Sequence, residues 1–488
     1  MATVGVEQQQ LLIGGRWTDA RSGRTHDKKN PYSGEPAGTA AAAGREDASD
    51  AVDAAQAAFP AWAATPPAER AKVLARASEL MMERQPDIAA IVTEETGGTF
   101  GWGMFNVQLG AGMLGYYASQ AEELPEEQIE SHIPGKNAKS VRQPVGVVVG
   151  IAPWNAPVIL GVRALAAPLA YGNTVVLKAS EESPRTHASI VQALVDAGIP
   201  DGVVNLITND PADAADVVDE LIAHPAVRRV NFTGSTKVGR IVAENAARHL
   251  KRVLLELGGK APMVVLGDAD VDRAVAAANF GSFMHQGQIC MSTERIVIDS
   301  SIADEFAAKL AERASALKVG DPTDPSTQIG PLVNEAAVKR VTELVDDAAS
   351  KGAEVLSGGS AEGPIFQPTV LKGVTPEMRI YAEESFGPVV SIVTVDGVDE
   401  AVAAANDTEY GLSSAVFSGD IDTAMEVARR LDTGMVHVND STVHDEPQMP
   451  FGGVKDSGWG RFGGRAALEE FTELRWITVQ DSAREYPI

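Results

Sequence analysis

The chain of 488 residues contains a single cysteine, Cys290. An intramolecular disulfide is therefore excluded, and so is any zinc or iron–sulfur site built from several cysteines. Histidine is scarce too: the eight present are scattered, and neither H-E-x-x-H nor a Walker A sequence occurs, so no metal site is expected. Positive charge is in short supply. Lys and Arg number 41 against 67 Asp and Glu, a formal net charge of −26 at pH 7. Such a surface repels phosphate, which argues against nucleic acid and anionic membranes as partners; its plainest reading is solubility. No repeat of fixed period or low-complexity tract stands out. The first residues, MATVGVEQQQ, lack a basic segment followed by an apolar one, so no secretory signal is read there. The most apolar stretch, Val145 to Val162, is about long enough to span a bilayer, but it carries Pro153, Asn155 and Pro157, with Arg163 just beyond. A buried strand leading through a loop into a helix fits it better. The expected location is the cytoplasm.

What is present is the composition of a soluble globular chain, with 44% hydrophobic and 22% charged residues. The length suggests about three domains. Thr65-Pro66 reads as an N-cap followed by proline at the first helical position, and Val73, Leu74, Ala77, Leu80 and Met81 then form a helical apolar stripe. From Val145 onward strands and helices alternate regularly. Strands are expected at Val147 to Ile151, Thr174 to Leu177, Val203 to Ile207, Val227 to Phe232 and Val253 to Leu255. Helices are expected at Pro184 to Ala197, Ala212 to Ala223 and Ser235 to Leu250. This pattern predicts parallel βαβ units, which bind ligands at the carboxyl ends of their strands. After Gly258-Gly259 the alternation restarts at Met263 to Leu266, as in a second α/β domain. Ile133 to Pro144 looks like a hairpin or irregular excursion. The strand-like Phe471 to Val479 could pair with it or with another subunit.

Several short motifs carry chemistry, each beside a plainer alternative. Gly110-Ala111-Gly112-Met113-Leu114-Gly115 matches G-x-G-x-x-G but follows no clear strand, so close helix packing is its better reading. Phe232-Thr233-Gly234-Ser235, with Gly239, follows an apolar run and opens a helix. It is either a phosphate-binding helix N-terminus or an ordinary βα turn. Cys290, in Gln286-Gly287-Gln288-Ile289-Cys290, is either a small buried apolar residue or a nucleophile. Glu256, before Leu257-Gly258-Gly259-Lys260, ends an apolar run where desolvation would raise its pKa toward that of a general base. The alternative is a salt bridge with Lys260 or a solvated turn. Asn155 could donate to an oxyanion or simply form a turn. His285 leaves a Cys–His hydrolase dyad conceivable, although neighbours in sequence rarely form one.

Taken together, the motifs resemble the aldehyde dehydrogenase superfamily over almost the whole chain. The resemblance rests on Pro153-Trp154-Asn155, Lys178-Ala179-Ser180-Glu181, Phe232 to Ser235 with Gly239, Glu256 to Lys260, Gly287 to Cys290, Glu384-Ser385-Phe386-Gly387-Pro388 and Pro450-Phe451-Gly452-Gly453. Any one is modest; all in order are specific. The resemblance implies an α/β fold: a Rossmann-type cofactor domain (residues 1–125 and 145–256), an α/β catalytic domain (257–460) and a small β element for bridging or oligomerisation (126–144 and 461–488). It implies Cys290 as nucleophile, Glu256 as base, and Asn155 with the Cys290 N–H as oxyanion hole. On the cofactor side it implies Lys178 and Glu181 at the adenosine ribose, and Gly234, Ser235 and Gly239 along the pyrophosphate and nicotinamide side. Glu384 would hold the nicotinamide ribose, Phe386 would lie against the nicotinamide, and Ile151 and Trp154 would line the cleft. Glu256 argues against CoA-acylating relatives. The carboxylate of Glu181 favours NAD over NADP, while Ser180 leaves NADP open. A homodimer or homotetramer acting on a small aldehyde is expected.

The stretches Lys178 to His187, Gln286 to Arg295 and Asn439 to Pro450 look like those of bacterial aromatic aldehyde dehydrogenases, such as those for vanillin, salicylaldehyde and benzaldehyde. Arg163 stands where many aliphatic relatives carry an aromatic residue. It is expected either near the substrate entrance, within reach of a phenolic oxygen, or on the helix surface with a carboxylate partner. Ile289, Met291 and Phe451 are expected as apolar walls. A semialdehyde or aliphatic substrate is the alternative within the family; a cysteine esterase is a more distant one, and a binding protein without catalysis more distant still.

Overall fold

The computed structural model describes residues 8–121, 124–486 and 488. The N-terminal segment in which no secretory signal was read lies mostly in residues 1–7, outside the described residues. Among the described residues no helix is long and apolar enough to cross a membrane.

Two large sheets and three small ones organise the described residues. The first has eight strands, in the order Gly458–Trp459, Arg252–Glu256, Val227–Thr233, Val147–Ile151, Thr174–Lys178, Val204–Ile207, Leu11–Ile13 and Arg16–Thr18. Its five central strands are parallel. The sequence explains why they lie inside: Val147–Ile151 and Thr174–Lys178 are buried on both faces, as continuous apolar runs in parallel sheets are. Counted along the chain, these five strands lie in the order 3-2-1-4-5, so the winding reverses between Val147–Ile151 and its neighbours. A doubly wound sheet opens its ligand crevice at that reversal. Helix Pro157–Ala170 packs on this sheet with every residue buried. Gly150 permits the approach, because a Cβ there would stand 2.9 Å from the Cβ of Ala164.

The second sheet has seven strands, in the order Glu354–Ser357, Thr369–Lys372, Val389–Val395, Arg295–Asp299, Pro262–Val265, Ser413–Phe417 and Met435–Val438. The alternation that restarts after Gly259 is thus a second α/β layer. One of the three-stranded sheets holds the C-terminal strand. Thr472–Gln480 pairs antiparallel with Lys136–Pro144 of its own chain, from Thr472 opposite Pro144 to Gln480 opposite Lys136. Glu126–Ile129 completes that sheet on the other side of Lys136–Pro144.

Two expectations change and one holds. The helix expected from Thr65-Pro66 begins one residue later, at Pro67, with Pro66 at the N-cap. Thr65 instead closes the preceding helix Arg45–Ala64, its N–H donating to the Trp62 carbonyl and its hydroxyl to that of Ala61. Strand Gly458–Trp459 pairs with Arg252–Glu256, so the chain rejoins the first sheet before the boundary expected at residue 460. The G-x-G-x-x-G glycines lie within helix Phe100–Gln120, as the helix-packing reading expects: Gly110 makes room for Val158, whose Cγ1 would stand 2.9 Å from an added Cβ.

Candidate active site

At the reversal point, strand Val147–Ile151 runs into Pro153-Trp154-Asn155, and its neighbour Val227–Thr233 runs into Gly234-Ser235 and helix Thr236–Arg248. A cleft of about 290 Å³ opens there. Trp154, Asn155, Gly234 and Ser235 line it from the first sheet; Cys290, Glu384 and Phe386 line it from the second half of the chain. The site therefore lies between the carboxyl ends of the first sheet and the segment leading into strand Arg295–Asp299 of the second. Ile151 is buried at the end of its strand, and Gly239 packs under Leu257; neither lines the cleft.

Cys290 follows a tight backbone passage in which His285, Gln286 and Gly287 all have positive φ, at 49°, 56° and 69°. The passage is held by its neighbours. The Gln286 side-chain amide donates to the carbonyls of Gly97 and Pro331, at 3.2 and 3.0 Å. The Gln288 side chain accepts from the Val333 N–H at 3.1 Å. Gly259 is required by close approach: a Cβ there would stand 2.4 Å from the Cys290 carbonyl oxygen. Asn155 Nδ2 donates to the Gln288 carbonyl at 2.9 Å, which fixes the amide and leaves its second N–H to point elsewhere.

Glu256 ends strand Arg252–Glu256 and is buried, and among the described residues neither carboxylate oxygen has a donor at hydrogen-bonding distance. Burial pushes its pKa up, while the Arg163 charge pulls it down. Burial likewise pushes the Cys290 thiol well above its ordinary range. The Glu256 carboxylate adds to this, and Arg163 opposes it. The two groups are therefore close enough for each to alter the other's protonation. The salt bridge weighed for Glu256 is absent, because Lys260 donates to Glu294 at 2.6 Å. His285 plays a different part from the one weighed for it. Its ring stacks on Trp102, with centroids 4.6 Å apart and planes 11° apart, and burial lowers its pKa to about 3. A base that weak does not take a thiol proton at neutral pH.

On the far side of the cleft, Glu384 accepts from the Gly259 N–H at 2.9 Å. Burial, then the charge of Glu294, lifts its pKa to about 7. Phe386 sits at φ 50°, a conformation that costs a non-glycine residue about 1–3 kcal/mol. Its ring meets that of Trp154 edge to face, 5.8 Å between centroids. Lys178, at the end of its strand, pairs with Glu181, which also accepts from Asn209 Nδ2 at 2.8 Å. Burial opposes ionisation of Glu181, but these partners outweigh it and hold the carboxyl below its ordinary value. Glu181 borders a groove of about 980 Å³ that runs along Asn334, Glu335 and Lys339. Ala337 and Arg340 of the same helix, Glu335–Ser350, line the cleft at Cys290. One helix thus borders both cavities.

The substrate-side expectations divide. Arg163 is buried, not on a helix surface, yet it does have a carboxylate partner, Asp445. Its guanidinium lies 4.1 Å from the centre of the Phe451 ring. Arg163, Asp445 and Phe451 line a narrow cavity with Met113, Tyr117 and Phe462. Ile289 and Met291 are packed in the hydrophobic core and line neither this cavity nor the cleft. Sequence reading missed Asp445, Glu294 and Arg340. Asp445 reaches Arg163 from far along the chain. Glu294 accepts from the backbone N–H groups of Ser385 and Phe386, and Arg340 donates to the Glu384 carbonyl at 2.6 Å. Only Glu294, close behind Cys290, carried a local signal.

Residues 17–477 match the model of the aldehyde dehydrogenase family. The vanillin dehydrogenase of Pseudomonas fluorescens is 55% identical over 478 residues, covering 98% of this chain and 99% of its own. The crystal structure of a salicylaldehyde dehydrogenase from Pseudomonas putida G7, complexed with salicylaldehyde, superposes with a TM-score of 0.97 at 44% identity, covering 99% of this chain and 100% of that one. A point variant of the betaine aldehyde dehydrogenase of Staphylococcus aureus, in complex with NAD+, gives a TM-score of 0.94 at 34% identity, covering 98% and 97%.

Proposed function

The chain belongs to the aldehyde dehydrogenase family, and on that premise we propose that it oxidises aromatic aldehydes to carboxylic acids with NAD, through a thioester on Cys290. The observation that carries this reading is the shared cleft. Cys290 and Asn155 face the same space as Gly234, Ser235, Glu384 and Phe386, while Glu256 stands buried beside the thiol with no hydrogen-bond partner among the described residues.

A nicotinamide dinucleotide fits the residues present. Helix Thr236–Arg248 opens at Ser235, so its N-terminal dipole faces the cleft and suits a pyrophosphate. Glu384 would hold the nicotinamide ribose and Phe386 would back the ring. Lys178 and Glu181 would take the adenosine ribose. The Glu181 carboxylate accepts from a 2′-hydroxyl and repels a 2′-phosphate, which favours NAD. When bound, the cofactor supplies the hydride acceptor.

The protein's own groups do the rest. The Cys290 thiolate adds to the aldehyde carbon, forming a C–S bond and an oxyanion. Asn155 Nδ2 and the Cys290 N–H hold that oxyanion, each donor of this kind being worth about 3–4 kcal/mol. Loss of hydride leaves the acyl group on sulfur. Glu256 then takes a proton from water, the water oxygen adds to the acyl carbon, and the C–S bond breaks to release acid and thiolate.

The relatives named for vanillin and salicylaldehyde support the aromatic class, since both aldehydes carry a phenolic oxygen. Arg163, paired with Asp445 against the Phe451 ring, is the group suited to meet that oxygen. A carboxylate-bearing semialdehyde is less suited, because the charge of Arg163 is already balanced. We also read the two large sheets as cofactor and catalytic parts and the sheet of Thr472–Gln480 as the bridging part, with that strand joining copies of the chain. Leu474 and Trp476 on that strand are exposed. The expected setting is cytoplasmic. The test is reduced-nicotinamide formation from NAD or NADP with vanillin, salicylaldehyde, benzaldehyde, succinic semialdehyde and hexanal. Turnover of the aromatic set with NAD, lost in Cys290→Ala, supports the reading. Preference for the semialdehyde or hexanal overturns the substrate class.

A further inference from the structure

Lys260 and Glu294 form a buried ion pair that the reaction as written does not use. Lys260 Nζ donates to Glu294 Oε2 at 2.6 Å, and both side chains are shut away from solvent. Removing two charges from water is costly, so a buried pair is weak evidence for stability and asks for another reason. The remaining bonds of Glu294 supply one. Its carboxylate accepts from the Ser385 N–H at 2.9 Å and the Phe386 N–H at 3.0 Å. Those two N–H groups belong to the turn that carries Glu384 and Phe386 into the cleft. Phe386 is strained there at φ 50°, and a strained residue persists only where its surroundings hold it. The turn is also tied from the other side, by Gly259 N–H to Glu384 and by Arg340 to the Glu384 carbonyl. The anchor points Gly259 and Lys260 follow Glu256, and Glu294 follows Cys290.

We propose that Glu294, oriented by Lys260, is a positioning residue for the cofactor: it clamps the Ser385–Phe386 backbone so that Glu384 and Phe386 face the nicotinamide end of the cleft. The proposal rests on the reading of that cleft given above. Glu294 touches neither substrate nor cofactor and acts through the turn. It couples the segment bearing the nucleophile to the segment bearing the nicotinamide contacts.

The experiment uses the full chain and three readouts: NAD affinity from quenching of protein tryptophan fluorescence, KM for the aldehyde, and hydrolysis of p-nitrophenyl acetate without cofactor. Glu294→Gln keeps the size of the side chain but loses the charge that holds two N–H groups and Lys260. It is expected to weaken NAD binding by at least about 10-fold, with the aldehyde KM and the cofactor-free ester hydrolysis unchanged. Lys260→Met combined with Glu294→Leu replaces the pair by apolar groups, which restores packing without the clamp, and is expected to show the same loss of NAD affinity. Unchanged NAD affinity in either variant overturns the proposal. Ester hydrolysis falling in parallel with NAD affinity also overturns it, since Glu294 would then support the nucleophile loop at large, and so does failure of both variants to fold. If the wild type hydrolyses the ester but binds no NAD, the reading of the cleft itself fails, an outcome distinct from all of these.

Discussion

Lys260 turns its ammonium to Glu294, at 2.6 Å, and leaves Glu256 without a cation on its carboxylate. The consequence is a buried carboxyl with a raised pKa, burial being the largest cause. A carboxyl whose folded pKa lies above its unfolded one binds protons more tightly in the fold, so stability is lost as pH rises past the ordinary carboxylate range. Glu256→Gln removes that loss. Its Tm is expected to exceed that of the wild type, by a margin that widens from acid toward neutral pH, and calorimetry across that range checks it. Activity is expected to fall by about 10²–10⁴-fold, the contribution of a positioned base.

Asn155 is held in advance of any substrate by its bond to the Gln288 carbonyl. Asn155→Ala is expected to lower kcat by about 10²–10³-fold, as loss of one oxyanion donor does. NAD affinity should stay close to that of the wild type, because the role proposed for Asn155 is at the aldehyde oxygen. Steady-state kinetics with a fluorescence titration of NAD separates the two.

The reactivity of Cys290 should track pH in a way set by Arg163. Burial and the Glu256 carboxylate raise the thiol pKa, and Arg163 counteracts both. The thiolate fraction grows as pH rises through that pKa. Arg163→Met removes the counteracting charge, so the rise is expected to move to still higher pH. The rate of alkylation by iodoacetamide against pH, without cofactor, measures it; an unshifted curve contradicts the assignment.

Glu181 is kept ionised by Lys178 and Asn209 despite its burial. If Glu181 faces the 2′ position as proposed, Glu181→Gln is expected to lower the ratio of NAD to NADP use by about 10-fold or more, because it removes a negative charge there and frees Lys178. The ratio of kcat/KM for the two cofactors reports it.

Much of the fold was legible because it is written locally. Val147 to Ile151 and Val227 to Phe232 are apolar runs bounded by turn residues, and the strands occupy Val147–Ile151 and Val227–Thr233. The helix expected from Ala212 divides into a 3₁₀ turn, Pro211–Asp213, and the α-helix Ala214–Ala223. Thr65 was misread because a threonine before proline suits either the end of one helix or the start of the next. The motifs that define the site were equally local: Cys290, Asn155, Gly234, Ser235, Glu384 and Phe386 do meet in one cleft. What the sequence concealed were pairings between distant segments. Nothing near Arg163 announces Asp445. Lys260 offered itself to Glu256, and only the path of the chain shows that it reaches Glu294 instead.

The most direct test of the central claim is the intact mass of Glu256→Gln after mixing with NAD and benzaldehyde, followed by peptide mapping. The account predicts that one benzoyl group accumulates on Cys290, only when NAD is present, because acylation proceeds while the water-activating carboxylate is gone. Turnover at the wild-type rate with no acyl group on Cys290 would contradict it.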